Sequence, residues 1–276
     1  MDVYCQRPIY RWWNYGTPWV IMFDDVDIEP ILHKIHVYVA DLFGPSMPYD
    51  LETYRSSYIP ELGIFLNSAH QPEGHNFRTP PKNTEYLKKL EEYLERSPIQ
   101  NFVHCSSIEC NFQKNSRIFD AKELELSICK RSEKVLEHFN GSNLYLTNVK
   151  FDNNSVTQFL ENWMKNQGSP SLKYLRIRFP TSSFSEDQIL EKLNTKKLES
   201  PRLYHFWRRR FDNEIGASFS IPMEISFEFY IVRPSDGNVA SFSIAPRELH
   251  FVDGKMPLDR LLEHKSFPVG EHVIEH

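Results

Sequence analysis

The chain has 276 residues, 40% of them hydrophobic and 14% aromatic, which is enough for a packed core and excludes a disordered segment. Its formal net charge of −5 excludes the strong field of a general nucleic-acid or membrane-surface protein. No run of about 18 apolar residues and no basic-then-apolar leader occurs, so a soluble cytoplasmic or nuclear protein with no membrane partner is expected.

In chain order, the first 26 residues read as aromatic and strand-like, from Ile9–Trp13 through Trp19–Phe23. Asp27 is placed to cap a helix whose apolar face is Ile31, Leu32, Ile35, Val39, Leu42 and Phe43, stopped by Gly44-Pro45. Residues 46–81 are rich in Pro, Ser, Asn and Gly and read as loop with one or two short strands. A second helix is predicted over Lys82–Arg96, with Tyr86, Leu87, Leu90, Tyr93 and Leu94 on one face.

Strand–helix phrases follow. Strands are expected at Ile99–Cys105, Glu123–Ile128, Ser142–Val149 and Leu172–Phe179, with helices around Val135–Phe139, 154–166 and Ser185–Leu193. Ser185 and Gln188 are spaced as a capping box. The last third reads as antiparallel: a strand over Ser226–Arg233, a turn at Pro234–Gly237, strands at Val239–Ile244 and Glu248–Val252, and a short helix near Leu258–Leu262.

On the LxxLxL skeleton of leucine-rich repeats, Phe102, Leu124, Leu144 and Leu175 take the fourth position, at intervals of 22, 20 and 31 residues. Ala121 and Gly141 stand where that repeat has its first leucine. An α/β sheet with right-handed crossovers has the same alternation of strand and helix. The fold expected here is α/β, a leucine-rich-repeat-like strand–helix array with a C-terminal antiparallel strand cap. Three segments make it up, 1–98, 99–200 and 201–276, as one continuous unit.

The segment Leu144–Phe179, with Asn148, Val149, Phe159, Leu160, Trp163, Leu172, Leu175 and Ile177, resembles the nematode F-box-associated domain of the second type. Arg233-Pro-Ser-Asp-Gly-Asn-Val-Ala-Ser-Phe-Ser-Ile244 is similar to that family's tail, and His36–Phe43 resembles the helix that follows its F-box. The resemblance spans roughly residues 10 to 255. It implies the substrate-recruiting part of a cullin ubiquitin ligase. The opening MDVYCQRPIYRWWNYG carries no Leu-Pro-rich helical segment of F-box kind, so the resemblance implies a recognition surface without its usual coupling to the Skp adaptor.

His33 and His36 are spaced i, i+3 rather than the i, i+4 of a helical metal pair, and read as structural. Cys105 and Cys110, beside His104, lack a second ligand cluster and read as small buried residues, and no CxxC occurs among the four cysteines. Asp24, Asp25 and Asp27 read as a solvated turn with a helix cap. There is no G-x-S-x-G, P-loop or G-x-G-x-x-G. No catalytic residue, metal ligand or cofactor is assigned, and a non-enzymatic protein-recognition adaptor is expected.

Two surfaces are candidates for partners. Outward strand positions of the array, Val103 and Cys105, Glu125 and Ser127, Tyr145 and Thr147, Arg176 and Arg178, would share one face whose mixed chemistry suits a protein. Trp207, Arg208, Arg209 and Arg210 interleave with aromatic residues. That pattern fits an edge strand, a protein partner or, as the alternative function, a nucleic-acid-associated complex contacting RNA or an acidic partner. Trp163, at helical spacing from Phe159 and Leu160, is expected in the core.

Overall fold

Leu124, Leu126, Leu144, Leu146, Leu175 and Ile177 alternate with polar residues along three short strands, and all six are buried. In this computed structural model the described residues are 9–10, 21–22, 50–53, 74–78, 91–92, 94–95, 102–106, 112–127, 132–149, 151–180, 185–193, 195–212, 217–263 and 266–269. Among them, eleven strands form one mixed sheet.

Six strands, β3 (Asp50–Thr53), β4 (Gly74–Arg78), β5 (Phe102–Ser106), β6 (Glu123–Ser127), β7 (Asn143–Thr147) and β8 (Tyr174–Arg178), lie side by side in chain order and are all parallel. The sheet then turns antiparallel: β12 (Glu248–Pro257) pairs with β8, and β11 (Asn238–Ala245), β10 (Ala217–Val232) and β9 (Lys196–Asp212) follow outward. At the end, β13 (Ser266–Val269) runs parallel to β9. A separate antiparallel pair joins β1 (Ile9–Tyr10) to β2 (Ile21–Met22). Strands from all three predicted segments thus meet in one sheet.

Helices α1 (Ser132–His138), α2 (Asn153–Met164) and α3 (Glu186–Leu193) follow β6, β7 and β8. Val135, Val156, Leu160, Trp163, Ile189 and Leu193 from these helices share one core with the strand leucines. At 1.5–3 kcal/mol for each large apolar side chain, this burial is the main force holding helices to sheet. A second, smaller core lies on the other face: Tyr145, Tyr174, Val252, Tyr230, Tyr204 and Phe227, closed by Leu261 of α4 (Leu258–Glu263), which packs on β11 and β12. The Arg202 guanidinium donates to the carbonyls of Leu261 and Leu262 in the last turn of α4, satisfying acceptors the helix leaves open.

Local irregularities have chemical causes. β9 inserts Leu198–Pro201 where β10 has only Glu228, and the bulge sends Phe227 to the second core and Phe229 to the first. In β12, Gly254 and Lys255 are extra, and the Asp253 carboxylate accepts the Lys255 N–H at 3.0 Å. Helix α2 opens on Asp152, whose carboxylate accepts the Ser155 N–H at 2.8 Å, and ends at Asn166 in the left-handed region (φ 57°). Gln167 N–H reaches Asn162 O and Asn166 N–H reaches Trp163 O, the paired bonds of a Schellman cap. Asn148, at φ 56°, turns the chain out of β7.

Four expectations need correction. Val103, 0% exposed, pairs with Leu124, so Phe102 is not the repeat-equivalent of Leu124 and Val103 belongs to the core face, not the outward one. A one-residue slip in a period-two element exchanges every side chain between faces. The capping box at Ser185 does not form: Gln188 Oε1 accepts from Asn153 at 2.6 Å, and Asn153 Oδ1 accepts the Ser185 N–H, tying α3 to the start of α2 instead. The edge strand read at Trp207–Arg210 is only part of a 17-residue strand, Lys196–Asp212, which pairs with β10 on one side and with β13 on the other over Leu203–Phe206. Ser266–Val269 is a strand with no counterpart in the predicted elements. The first predicted helix, His33, His36, Asp24, Asp25, Asp27, Cys110 and Cys129 lie outside the described residues. Of the second helix, Glu91, Glu92, Leu94 and Glu95 are described and helical.

Candidate functional site

Sheet register brings the array residues into rows on the second face. Glu125, Tyr145, Arg176 and His250 make one row across β6, β7, β8 and β12, and Ser127, Thr147, Arg178 and Glu248 make the next. Their exposure differs sharply. Glu125 and Tyr145 are 8% and 2% exposed, while Ser127 and Thr147 are half-buried and Arg178 is exposed. The accessible part of this face is therefore the edge where the parallel strands end, not its centre. The second core closes the centre because β12 and α4 bring Val252 and Leu261 over it.

The sequence did not point to Tyr174, Glu248 and His250, yet they form a continuous polar chain on this face. Tyr174 OH lies 2.8 Å from His250 Nδ1, His250 Nε2 lies 3.2 Å from Glu248 Oε2, and Glu248 Oε1 accepts from Arg176 Nε. The Tyr174 ring also packs edge-on against Tyr145, centroids 5.5 Å apart. The Glu-Leu-His spacing shows that Glu248 and His250 share a face, but Tyr174 and Arg176 reach them only through the β8–β12 register, which no local pattern specifies. The order hydroxyl, imidazole, carboxylate is that of a nucleophile relay. Tyr174, however, is 1% exposed and His250 9%, so the relay's hydroxyl has no room for a reactant.

Burial pushes the Glu248 carboxyl up, but its bond to His250, the His250 charge and Arg176 together outweigh that and hold it down at about 2, against an ordinary 4.5. A carboxyl depressed on folding contributes stability that is full above about pH 4.5 and fades as the pH falls through about 2. The shift corresponds to about 3 kcal/mol at most, and water at the partly exposed carboxylate reduces that to roughly 1–2. The expected result is that Glu248→Gln flattens the acid limb of stability between pH 5 and 2 in urea titrations. An unchanged limb would remove this group from the acid response.

The two segments that carried the family resemblance meet in space. The Arg233 guanidinium stacks 4.7 Å above the Trp163 ring, donates to Asp236 Oδ1 at 3.0 Å and to Asn166 Oδ1 at 3.3 Å, and so fastens the Arg233–Asn238 turn to the end of α2. Trp163 Nε1 donates to the buried Asp253 Oδ2 at 3.0 Å. Asp236, which also accepts the Asn238 N–H and the Arg233 guanidinium, is shifted down, and Gly237 at φ 73° closes the turn. These residues are structural, as expected for Trp163.

Trp207, Arg208, Arg209 and Arg210 lie in β9, opposite Pro222, Ile221, Ser220 and Phe219 of β10. The structure thus separates them from the Ser127–Thr147–Arg178 row: one group is on the parallel half, the other on the far ribbon of the antiparallel half. Among the described residues no group of three metal-ligating side chains occurs, and no helix is long and apolar enough to cross a membrane. No family model, curated protein or solved structure matches the chain.

Proposed function

We propose that this chain is a non-enzymatic protein-recognition subunit, an adaptor related to the substrate-binding part of F-box proteins of cullin ubiquitin ligases. The observation that carries the reading is the six-strand parallel run in chain order, the arrangement in which a leucine-rich-repeat-like array places equivalent residues in rows. Neighbouring units also bond through matching positions. Asn140 N–H donates to Phe119 O, Ser142 N–H to Lys122 O and Lys173 N–H to Ser142 O. Such rows give an extended edge of hydroxyls and one exposed arginine, suited to hydrogen-bonding a protein surface rather than tracking phosphates. The ladder of residues that supports the family resemblance adds weight: Trp163, Arg233, Asp236 and Gly237 have a joint role in holding the array to its antiparallel end.

The test is affinity purification of the tagged chain from its native cell, compared with a Thr147→Glu/Arg178→Glu variant that melts at the same temperature. The expected outcome is a set of proteins lost at least tenfold in the variant; a Skp adaptor and a cullin among the proteins held by wild type would tie the chain to a ligase. An identical protein set in both would overturn the row as the recognition surface. Absence of adaptor and cullin would sever the ligase connection.

A further inference from the structure

Ten glycines occur in the chain, and one of them, Gly141, directly follows an asparagine. The pair lies between α1 and β7, flanked by Phe139 and Ser142. An Asn–Gly pair has a chemistry of its own. The backbone nitrogen after the asparagine can attack the side-chain amide carbon, and glycine has no side chain to shield that nitrogen. The reaction makes asparagine one of the thermolabile residues. Asn140 is exposed to water, and its Nδ2 donates to Asp120 Oδ1 at 3.1 Å on the surface.

Two Asp–Gly pairs, Asp236–Gly237 and Asp253–Gly254, could close the same ring, and the structure holds both back. Gly237 N–H donates to Arg233 O at 2.9 Å. The Asp236 carboxylate accepts from Arg233 and from the Asn238 N–H, which keeps it ionised and so a poor electrophile. Asp253 is 6% exposed, and its carboxylate accepts from Trp163 Nε1 and from the Lys255 N–H. The Asn140 amide is neutral and wet, so it carries no such protection from charge or burial.

What surrounds the pair sets the consequence of a reaction there. Asn140 N–H donates to Phe119 O at 2.8 Å, Ser142 N–H to Lys122 O at 2.8 Å, and Asn143 N–H to Lys122 O at 3.0 Å. These bonds hold the start of β7 to the stretch that leads into β6. Between them, Gly141 is buried, and a Cβ there would lie 1.9 Å from the Ala121 carbonyl oxygen. A stretch pinned on both sides and close-packed at its centre has no place for another main-chain atom.

From these observations we infer that Asn140–Gly141 is a site of spontaneous deamidation, and that its isoaspartyl product unfastens β7 from the stretch before β6. Gly141 N bonds to Asn140 Cγ and gives its proton to water. The Cγ–Nδ2 bond breaks, and the amide nitrogen leaves as ammonia. Water then opens the five-membered imide, with no change in oxidation state. If water breaks the new N–Cγ bond, an ordinary aspartate results. If it breaks the original peptide bond, the chain runs through Cβ and Cγ and is one carbon longer. The aspartate product replaces the donor to Asp120 with a second surface carboxylate, a mild repulsion beside the Arg117–Asp120 pair at 3.2 Å. The isoaspartyl product puts its extra carbon between the Asn140 and Ser142 hydrogen bonds, and at least one of them has to break. The site limits the lifetime of the folded chain whatever partner the chain recognises.

The test incubates the full folded chain at mildly alkaline pH and body temperature, and reads every asparagine by peptide mass spectrometry. A one-dalton gain is expected at Asn140, at least tenfold above any other asparagine, in two isomeric forms separable by chromatography. The isoaspartyl fraction should melt several degrees below the unmodified chain. Asn140→Asp, which has the charge without the extra carbon, should melt close to wild type. Asn140→Gln, whose ring would need six members, should keep its mass and its melting temperature through the same incubation. The wild-type incubation decides the site even where a variant does not fold. Mass gain at other asparagines with Asn140 intact would overturn the assignment. Reaction at Asn140 in urea and none in the folded chain would show that the flanking hydrogen bonds protect the pair, and would overturn it equally. An isoaspartyl fraction that melts with the unmodified chain would refute the unfastening of β7.

Discussion

Trp163→Ala is expected to lower the unfolding free energy by about 3–5 kcal/mol, the range for truncating a large buried aromatic. The ring is 3% exposed and has three kinds of contact at once. It packs edge-on against Phe251, centroids 5.8 Å apart, and Phe251 is in turn flanked by Phe159 at 5.1 Å. Its face carries Arg233, and its Nε1 donates to Asp253. Alanine leaves a cavity between α2 and β12, strips the stack from Arg233 and takes the Trp163 donor from Asp253 Oδ2, leaving the carboxylate only the Lys255 N–H on Oδ1 in a site 6% exposed. Trp163→Phe separates these effects. It keeps most of the packing and loses the Asp253 bond, so about 1–3 kcal/mol is expected from the buried Oδ2 left without its donor. Urea unfolding at pH 7 measures both. A double-mutant cycle of Trp163→Phe with Arg233→Ala should show coupling of about 0.5–1 kcal/mol. A cost below 1 kcal/mol for Trp163→Ala would show that α2 is not seated on β12 in this way.

Gly141→Ala is expected to be as damaging, about 3 kcal/mol or more, although it adds a single methyl. A Cβ at Gly141 would lie 1.9 Å from the Ala121 carbonyl oxygen and 2.5 Å from the Phe139 ring. The oxygen is backbone and sits in a stretch fixed by the Asn140–Phe119 and Ser142–Lys122 hydrogen bonds, so it cannot give way without parting β6 from β7. Overpacking against backbone lies at the top of its usual range. Gly168→Ala is the control: its nearest neighbours are Trp163 backbone atoms at 3.9 Å, so the change is expected to be neutral or stabilising by about 0.4–1 kcal/mol through the unfolded chain. Thermal melts of the two variants side by side would decide it, and equal melting temperatures would contradict the close approach at Gly141.

Gly141 also shows what sequence reading misses. Against a repeat template, Ala121 and Gly141 look like defects, because a leucine is due there. In space both are fully buried where successive units touch, and a larger side chain has no room. Legibility elsewhere followed the strength of the local period. The strands β6, β7, β8 and β11 and helices α2 and α3 were all found to within a few residues, because their apolar spacing is unambiguous, whereas β12 was found only over its first half, Glu248–Val252. β5 was found but shifted in face, since Phe102, Val103 and Cys105 offer two alternations and only pairing with Leu124 chooses between them. Of the candidate surface, Thr147, Ser127 and Arg178 were legible as outward positions. Tyr145 and Glu125 were equally outward by period and are buried; Tyr145 lies in a core that Val252 and Leu261, more than 100 residues away, help to build.

Taken alone, the amino-acid order determined the strand–helix alternation from Glu123 to Leu193, which side of each of those helices is apolar, and that Arg233–Gly237 turns. Those are short-range properties, set by periodicity and by the backbone preferences of Gly, Pro and Asn. Only the tertiary structure decided which strands are neighbours, that Arg233 rests on Trp163, that His250 links Tyr174 to Glu248, and that the ribbon carrying Arg208–Arg210 runs past β13. Each of these depends on contacts between residues far apart in the chain, whose geometry follows from the register and packing of the whole sheet rather than from any local pattern.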